Sequence, residues 1–423
     1  MTCVDEDEAK VERLSRLEVP FFEPGLPELV GRNVHEGRLR FSRDLPKAIK
    51  GSKVIFITVG TPPLRDGSAD TRAIFEVARG VAENLDGYTL VVQKSTAPVG
   101  TAREVWRSMK RWARRGSQFD VASNPEFLRE GSAIETFMHP DRVVIGAETA
   151  RAAEILKSIH DPLFLIETPM VVTNLETAEL IKYAANSFLA TKISFINEIG
   201  NLCEAVGADV QVVAKAMGMD RRIGPKFLHA GPGYGGSCFP KDTLALSSFA
   251  RAAGLRTRVV EATMAANEHQ QRRMVGKILE AIGAPRGKRV GVLGLAFKPD
   301  TDDLREAPSL TIIAGLRRRG VKVIAFDPVA VPRARELPAL RGVAFVDDAY
   351  EAARGADALA IVTEWNEFRN LDLRRLRRLM RKPVLCDLRN IYDPAEVEAA
   401  GLRHVGVGRG RRRSSRRSTG SEA

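Results

Sequence analysis

Between Thr173 and Gly207 the chain reads TNLETAELIKYAANSFLATKISFINEIGNLCEAVG. It has no proline, no glycine before Gly200, and apolar residues at spacings of three and four. This predicts one long helix ending near Gly207, with further helices to about Ala284. A helical segment of that length must bury its apolar face on its neighbours or on a second subunit. Whatever lies before and after is therefore built around a long rod.

The flanking segments follow another rhythm. Over the first ~165 residues, short apolar runs alternate with amphipathic segments, as in a parallel sheet built of βα units. Strands are expected at Thr2–Val4, Val54–Val59, Thr89–Gln93, Phe119–Ala122, Arg142–Ile145 and Phe164–Glu167. Helices are expected at Glu8–Leu17, Thr71–Asn84, Thr101–Ala113 and Ala150–Ile159. A second βα series opens with RVGVLGLAF at Arg289, and continues with a helix near Ser309–Arg319 and the run VKVIAFDP. Further strands are expected at Ala358–Thr363 and Pro383–Asp387. The fold class is α/β: two Rossmann-like parallel-sheet domains (1–168 and 285–408), a helical domain between them (169–284), and a tail (409–423). Open parallel sheets bind ligands at the carboxyl ends of their strands. The loops there are TVGTPP, KSTAPVGT and SNPEFLREG.

Composition narrows the class. With 423 residues, 44% hydrophobic and 28% charged, the chain is globular and too long for a single core. Four scattered cysteines show no metal-ligand spacing and no disulfide framework, which fits a reducing cytoplasm and no metal. No apolar run is long enough to span a membrane, and the acidic N-terminus does not read as a signal peptide. The net charge of +12 is uneven, since the last fifteen residues hold six arginines and one glutamate. That tail reads as a disordered solvated extension, with nucleic-acid contact as the alternative. The clusters Arg107–Arg115 and Arg374–Lys382 read as solvated helix faces.

The stretch GPGYGGSCFPKD, residues 231–242, sets Cys238 behind a run of glycines. Two readings stand: a tight turn that carries a cysteine, or a nucleophile presented where the backbone permits close approach. Other groups could converge with it. Lys182 and Asn186 are four apart on the long helix and share a face. Together they are either oxyanion donors or ordinary surface residues. Glu126 and Glu130 are either an acid–base pair or surface acids. If Pro240 opens a helix, Asp242 lies in its first turn, and a helix start favours the thiolate.

In this order, STAPVGT, NPEFLREG, ELIKYAANSFLA, GPGYGGSCFPKD and GLAFKPDTDDLREAP resemble the UDP-glucose/GDP-mannose 6-dehydrogenases. The resemblance runs from about residue 2 to about residue 408. It implies NAD as cofactor and a nucleotide sugar oxidised twice at C6. The Ser-Cys-Phe form at the thiol favours UDP-glucose over GDP-mannose or UDP-N-acetylmannosamine. The same motifs imply that Cys238 holds the aldehyde as a thiohemiacetal and then a thioester. Lys182 and Asn186 would stabilise the oxyanion. Asp242 would order water or act as base, Glu126 would assist hydrolysis, and Thr96 would hold the water. NAD contacts are implied at Thr61, Thr96, Glu130 and Arg305. The UDP-sugar would be held by Glu126, Phe127, Leu128, Lys182, Asn186, Phe227, Gly235, Phe297 and Lys298. Arg222 would reach a neighbouring subunit's substrate in a homodimer or larger assembly, and Arg389 is a further substrate candidate. Gly291 and Gly294 look like a dinucleotide fingerprint without its third glycine, and the resemblance implies that this unit holds UDP and not NAD. An inactive UDP-sugar-binding protein and a nucleic-acid-associated protein acting through the tail are the alternatives.

One implied part is not in the sequence. Thr2–Asp5 reads as the end of a strand with an acid at its tip, where a dinucleotide-binding acid takes the ribose hydroxyls about 20 residues after a G-x-G-x-x-G turn. Asp5 fits that role without such a turn ahead of it. The first domain is thus expected to be N-terminally incomplete, through a mis-assigned start or a true truncation. The chain as given is expected to bind NAD poorly and to be unstable.

Overall fold

The computed structural model describes residues 1–166 and 168–410. Glu167 and the arginine-rich segment from 411 onward, expected to be disordered, lie outside the described residues. The chain gathers into two compact units: 1–188 with 238–258 and 300–302, and 189–237 with 259–299 and the remainder from 303.

In the first unit, the strands β1 (Thr2–Val4) and β2 (Arg40–Ser42) form a parallel pair. A separate five-stranded sheet runs β3 (Val54–Ile57), β4 (Tyr88–Gln93), β5 (Gln118–Ser123), β6 (Val143–Ala147), β7 (Met170–Thr173) in spatial order. Val, Ile and Leu on both faces, such as Leu90, Val91 and Val92, are fully buried, as in a sheet covered by helices on each side.

Two expectations are corrected here. The sheet is not wholly parallel, because β6 runs antiparallel to β5. The described residues 164–166 of the strand expected at Phe164–Glu167 are not a strand, and Glu167 lies outside the described residues. Residues Asp161–Ile166 form a 3-10 turn, and the strand comes after Pro169 as Met170–Thr173. Both runs are short and apolar, and periodicity does not separate such segments. The β-branched pair Val171 and Val172 suits the pleated conformation. The reading also passed over the helix Leu26–His35 and strand β2.

The long helix is Leu175–Val206. One of its residues, Glu179, holds the adjoining helix Thr101–Trp112. That helix begins behind Gly100, which has φ +95° and offers no side-chain cap. Glu179 supplies one from outside: its carboxylate accepts from the Gly100 and Ala102 amides at 2.6 and 2.8 Å, and from Gln93 Nε2 at 3.0 Å. The loop from Lys94 to Gly100 is thus anchored where it enters the helix.

The second unit holds six parallel strands: β8 (Arg289–Leu293), β9 (Lys322–Phe326), β10 (Ala344–Phe345), β11 (Ala358–Ile361), β12 (Val384–Asp387) and β13 (Arg403–Gly406). Their order, β10-β9-β8-β11-β12-β13, is that of a doubly wound dinucleotide-type sheet. Its two faces carry separate cores, one around Ile312, Ile313 and Met274, the other around Phe368 and Leu376.

Burial pushes the Glu179 carboxyl up from 4.5 to about 7, against the amide and Gln93 hydrogen bonds that favour its ionised form. Between those values the folded chain binds this proton more tightly than the unfolded chain, so this group's contribution to stability falls as pH rises. Glu179→Ala is expected to lower the unfolding free energy by about 1–2 kcal/mol near neutral pH, the scale of a lost helix cap. Denaturant titrations should show the deficit widening as pH falls from 7 towards 4.5.

Candidate active site

In the first unit the candidate residues lie at the carboxyl ends of β4 and β5, on the long helix, and at the start of the helix Phe239–Ala252. Cys238 is the residue at which that last helix begins, with Pro240 in its first turn. The backbone amide of Asp242 donates to the Cys238 carbonyl at 2.8 Å, so the acid stands one turn from the thiol. Asp242 is 1% exposed. A carboxylate buried to that degree needs donors on both oxygens. Asn186 Nδ2 donates to Oδ2 and Lys241 Nζ to Oδ1, each at 2.6 Å.

One turn back along the long helix, Lys182 is 3% exposed and meets Glu126 Oε1 at 3.3 Å. The other oxygen of Glu126 accepts from the Leu128 amide at 2.5 Å. Phe127 lies under two cations, with Arg142 3.6 Å and Lys182 5.1 Å from its ring centre. Residues 124–129 have no regular structure, so Glu126 and Glu130 do not form a helical pair. Glu126 is drawn to Lys182, and Glu130 sits at the far end of the loop, half-buried. Just beyond, the buried Glu23 accepts from the Gly131 and Ala133 amides at 2.6 and 2.7 Å and pins the loop.

The loop after β4 is tied to its neighbours by backbone groups. Thr61 Oγ1 donates to the Thr96 carbonyl at 2.7 Å. Asp5 ends β1 with its side chain about one-third exposed and paired with Lys10. Burial raises the Asp5 pKa, but the Lys10 hydrogen bond and two backbone amides outweigh it and hold the carboxyl below its ordinary value. An ionised, accessible acid at a strand tip fits the ribose hydroxyls of a dinucleotide.

The second unit explains the glycines before the thiol. The amide of Gly231 donates to Asn197 Oδ1, and its carbonyl accepts from Gln270 Nε2, both at 2.8 Å. Asn267 closes a two-way pair with the Tyr234 backbone, at 2.8 and 3.1 Å. A Cβ on Gly235 would stand 2.2 Å from the Glu306 carbonyl oxygen, and one on Gly236 would stand 2.7 Å from the Phe297 ring. Only glycine passes there. Lys298 lies 5.5 Å from the centre of the Phe297 ring. Arg389 donates to the carbonyls of Val362 and Phe297 at 2.7 and 3.2 Å and pairs with Glu364 at 2.9 Å. Arg305 pairs with Asp303 at 2.7 Å. Phe227 adopts φ +66°, and Arg222 projects with its side chain 89% exposed, paired with Asp220.

The turn after β8 is packed tightly against the end of β11. A Cβ at Gly294 would come within 2.4 Å of Thr363. At the tip of β9, Asp327 is the acid that could hold a ribose, but its donors come from within the unit. They are the amides of Leu295, Ala296, Val329 and Ala330 and the indole of Trp365.

Several of these residues were not singled out from sequence: Lys94, Asn124, Glu179, Lys241, Glu23 and Arg142. Lys94 and Asn124 stood within flagged loops, and Glu179 stands three residues before Lys182 on the flagged helix. Glu23 and Arg142 carried no sequence signal, because their partners are distant in the chain. Among the described residues no His, Cys, Asp or Glu cluster could hold a metal, and no helix is long and apolar enough to cross a membrane.

Residues 1–164 match the NAD binding domain of the UDP-glucose/GDP-mannose dehydrogenase family, 176–269 its central domain and 291–394 its UDP binding domain. The chain is 51% identical over 413 residues to a UDP-glucose 6-dehydrogenase of Rhizobium meliloti, covering 97% of this chain and 94% of that protein. It is 46% identical to the UDP-glucose 6-dehydrogenase TuaD of Bacillus subtilis, covering 97% of this chain and 88% of the relative. Among solved structures it is similar to a UDP-glucose dehydrogenase of Pyrobaculum islandicum, with TM-score 0.89 and 40% identity over 97% of this chain and 92% of that one. The chain belongs to the UDP-glucose/GDP-mannose dehydrogenase family.

Proposed function

We propose that this protein is an NAD-dependent UDP-glucose 6-dehydrogenase that oxidises the C6 alcohol twice and releases UDP-glucuronate. The observation that carries the reading is two polar pairs one turn apart on the long helix, Glu126–Lys182 and Asn186–Asp242, the second ending one helical turn from Cys238. NAD, when bound, would supply the hydride acceptor for both oxidations.

The second oxidation needs a tetrahedral carbon that can release hydride. The Cys238 thiolate adds to the aldehyde carbon, and the carbonyl oxygen gains the electron pair. Lys182 has N–H groups beyond the one directed at Glu126, and Asn186 Nδ2 has a second N–H. Both are themselves buried and hydrogen-bonded, and need little reorganisation to meet that oxygen. Loss of hydride leaves a thioester on Cys238, which water cleaves with Glu126 taking the proton. Thr96 helps to hold that water. Asp242 holds the Asn186 amide and Lys241, and orders water beside the thiol. In the first unit Asp5, Thr61, Thr96 and Glu130 would contact the cofactor, and Phe127 and Leu128 the sugar. In the second unit Arg305 is a cofactor candidate by resemblance, and Phe227, Gly235, Phe297, Lys298 and Arg389 are candidates for the nucleotide part.

A homodimer accompanies this reading, with a cytoplasmic location. Leu180, Ala184, Phe188, Phe195, Leu202 and Val206 are exposed along the long helix. At about 100° per residue they form one apolar stripe. Such a stripe marks an interaction surface, and a second copy of the same helix suits it. Arg222, exposed and paired with Asp220, would then reach the partner's substrate.

Incubation with UDP-glucose and NAD+ should yield two NADH per UDP-glucuronate, scored by absorbance and product mass. GDP-mannose and UDP-N-acetylmannosamine serve as controls, and absence of NADH with UDP-glucose would refute the reading. Cys238→Ala should lower acid formation by more than about a thousandfold, the scale of losing a nucleophile. Calorimetric affinity for UDP-glucose should stay near wild type, and full-rate acid production would exclude a thioester route. Asp5→Ala should raise the KM for NAD+ by roughly ten- to a hundredfold, the loss of one charged hydrogen bond, with kcat little changed. Light scattering at micromolar concentration should show a dimer that Phe188→Glu with Leu202→Glu converts to monomer.

A further inference from the structure

The loop after β4 carries a cation to which the proposed mechanism gives no role. Lys94 Nζ donates to Asn124 Oδ1 at 2.8 Å. Asn124 is 1% exposed, and its Nδ2 donates to the Val144 carbonyl at 2.8 Å, which fixes the amide with its oxygen towards the lysine. The Asn124 amide nitrogen donates to the Gln93 carbonyl at 3.0 Å, so the turn that leads into Glu126 is tied to the strand that leads into Lys94.

Three charged or titratable groups act on Lys94: Glu126 from the turn after β5, Lys182 from the long helix, and His160 at the end of the helix Ala150–His160. Burial lowers the pKa of His160, its Nδ1 contact with the Leu156 carbonyl at 2.8 Å opposes this, and Lys94 lowers it further. The imidazole is therefore neutral at pH 7. Lys182 meets Glu126 directly at 3.3 Å, and Lys94 reaches the same turn through Asn124.

We propose that Lys94 is a positioning residue for the step that releases the acid, holding the turn that carries Glu126 in place through Asn124. This rests on the dehydrogenase reading above. In that step water attacks the thioester carbon and its proton passes to Glu126. The C–S bond breaks and its electron pair returns to Cys238. A charged Lys94 holds Asn124 Oδ1 more strongly than a neutral amine would. Burial pulls the Lys94 pKa from 10.5 to about 8, against Glu126, which raises it, while Lys182 lowers it further. The support is therefore lost on the alkaline side. Between those two values the folded chain binds fewer protons here than the unfolded chain, so this group makes the fold more stable as pH rises. Alkaline loss of turnover through Lys94 is not unfolding.

The test measures kcat and KM with UDP-glucose and NAD+ from about pH 6 to 10 for wild type, Lys94→Met and Lys94→Arg. The enzyme is also quenched at steady state and weighed for the thioester on Cys238. Wild-type kcat should fall with a midpoint near 8. Lys94→Arg should move that limb upward by about one unit or more, because a guanidinium keeps its charge. Lys94→Met should lose roughly ten- to a hundredfold in kcat at pH 7, with KM for UDP-glucose within about threefold, the pattern of a misplaced catalytic group. The thioester adduct should accumulate in Lys94→Met, which a merely structural defect would not produce. An active wild type with Lys94→Met equally fast, or with no adduct, overturns the proposal. A limb that stays near 8 in Lys94→Arg overturns it too, and decides the matter even if Lys94→Met fails to fold. A wild type that makes no NADH from UDP-glucose overturns the dehydrogenase reading and this proposal together, an outcome distinct from failure of the variants alone.

Discussion

The long helix Leu175–Val206 buries polar groups, and each must find a partner inside the protein. Glu179, Lys182, Asn186 and Asn197 fall on one face at about 100° per residue, and none is more than 6% exposed. An unmet buried carboxylate or ammonium costs several kcal/mol. The surroundings must therefore supply donors and acceptors at set heights along the rod. The amides at the start of helix Thr101–Trp112 answer Glu179, Glu126 answers Lys182, Asp242 answers Asn186, and the Gly231 amide answers Asn197. The polar face acts as a template on which separate loops are registered.

The opposite face of the same helix is apolar and exposed, about half a turn away. This reverses the usual amphipathic arrangement, in which the polar face meets water. It is the arrangement expected of a helix that serves a site on one side and an association surface on the other. The exposed Phe188 and Leu202 are costly in water, whereas the buried Lys182 and Asn186 are held in place by their partners.

The six-stranded sheet shows how one topology admits or refuses a ligand through a few contacts. Its strand order is that of a dinucleotide-binding sheet, and its first turn has glycine at 291 and 294. Yet Thr363 packs where a Cβ at Gly294 would stand, and Asp327 accepts from five donors of its own unit. A carboxylate with its lone pairs engaged has no capacity left for ribose hydroxyls.

Local pattern carried much of the fold. The 3.6-residue periodicity of 173–207 read as the long helix, and the runs at Val54, Thr89 and Arg289 read as strands, because helix and strand place side chains by rules that act over a few residues. The same rule put Lys182 and Asn186 on one face, and proline after the thiol marked a helix start at Cys238. The antiparallel setting of β6 and the true position of the strand at Met170 were not legible, since sheet pairing depends on partners far along the chain. Partner choice was hidden for the same reason. The sequence by itself determined which residue types sit at strand ends, on the helix face and behind the glycines. Only the tertiary structure decided that Glu126 meets Lys182 and leaves Glu130 aside, that Glu179 caps a helix 77 residues away, and that Lys94 stands over Asn124. Those pairings are set by the burial of charge, which has meaning only once distant segments are packed together.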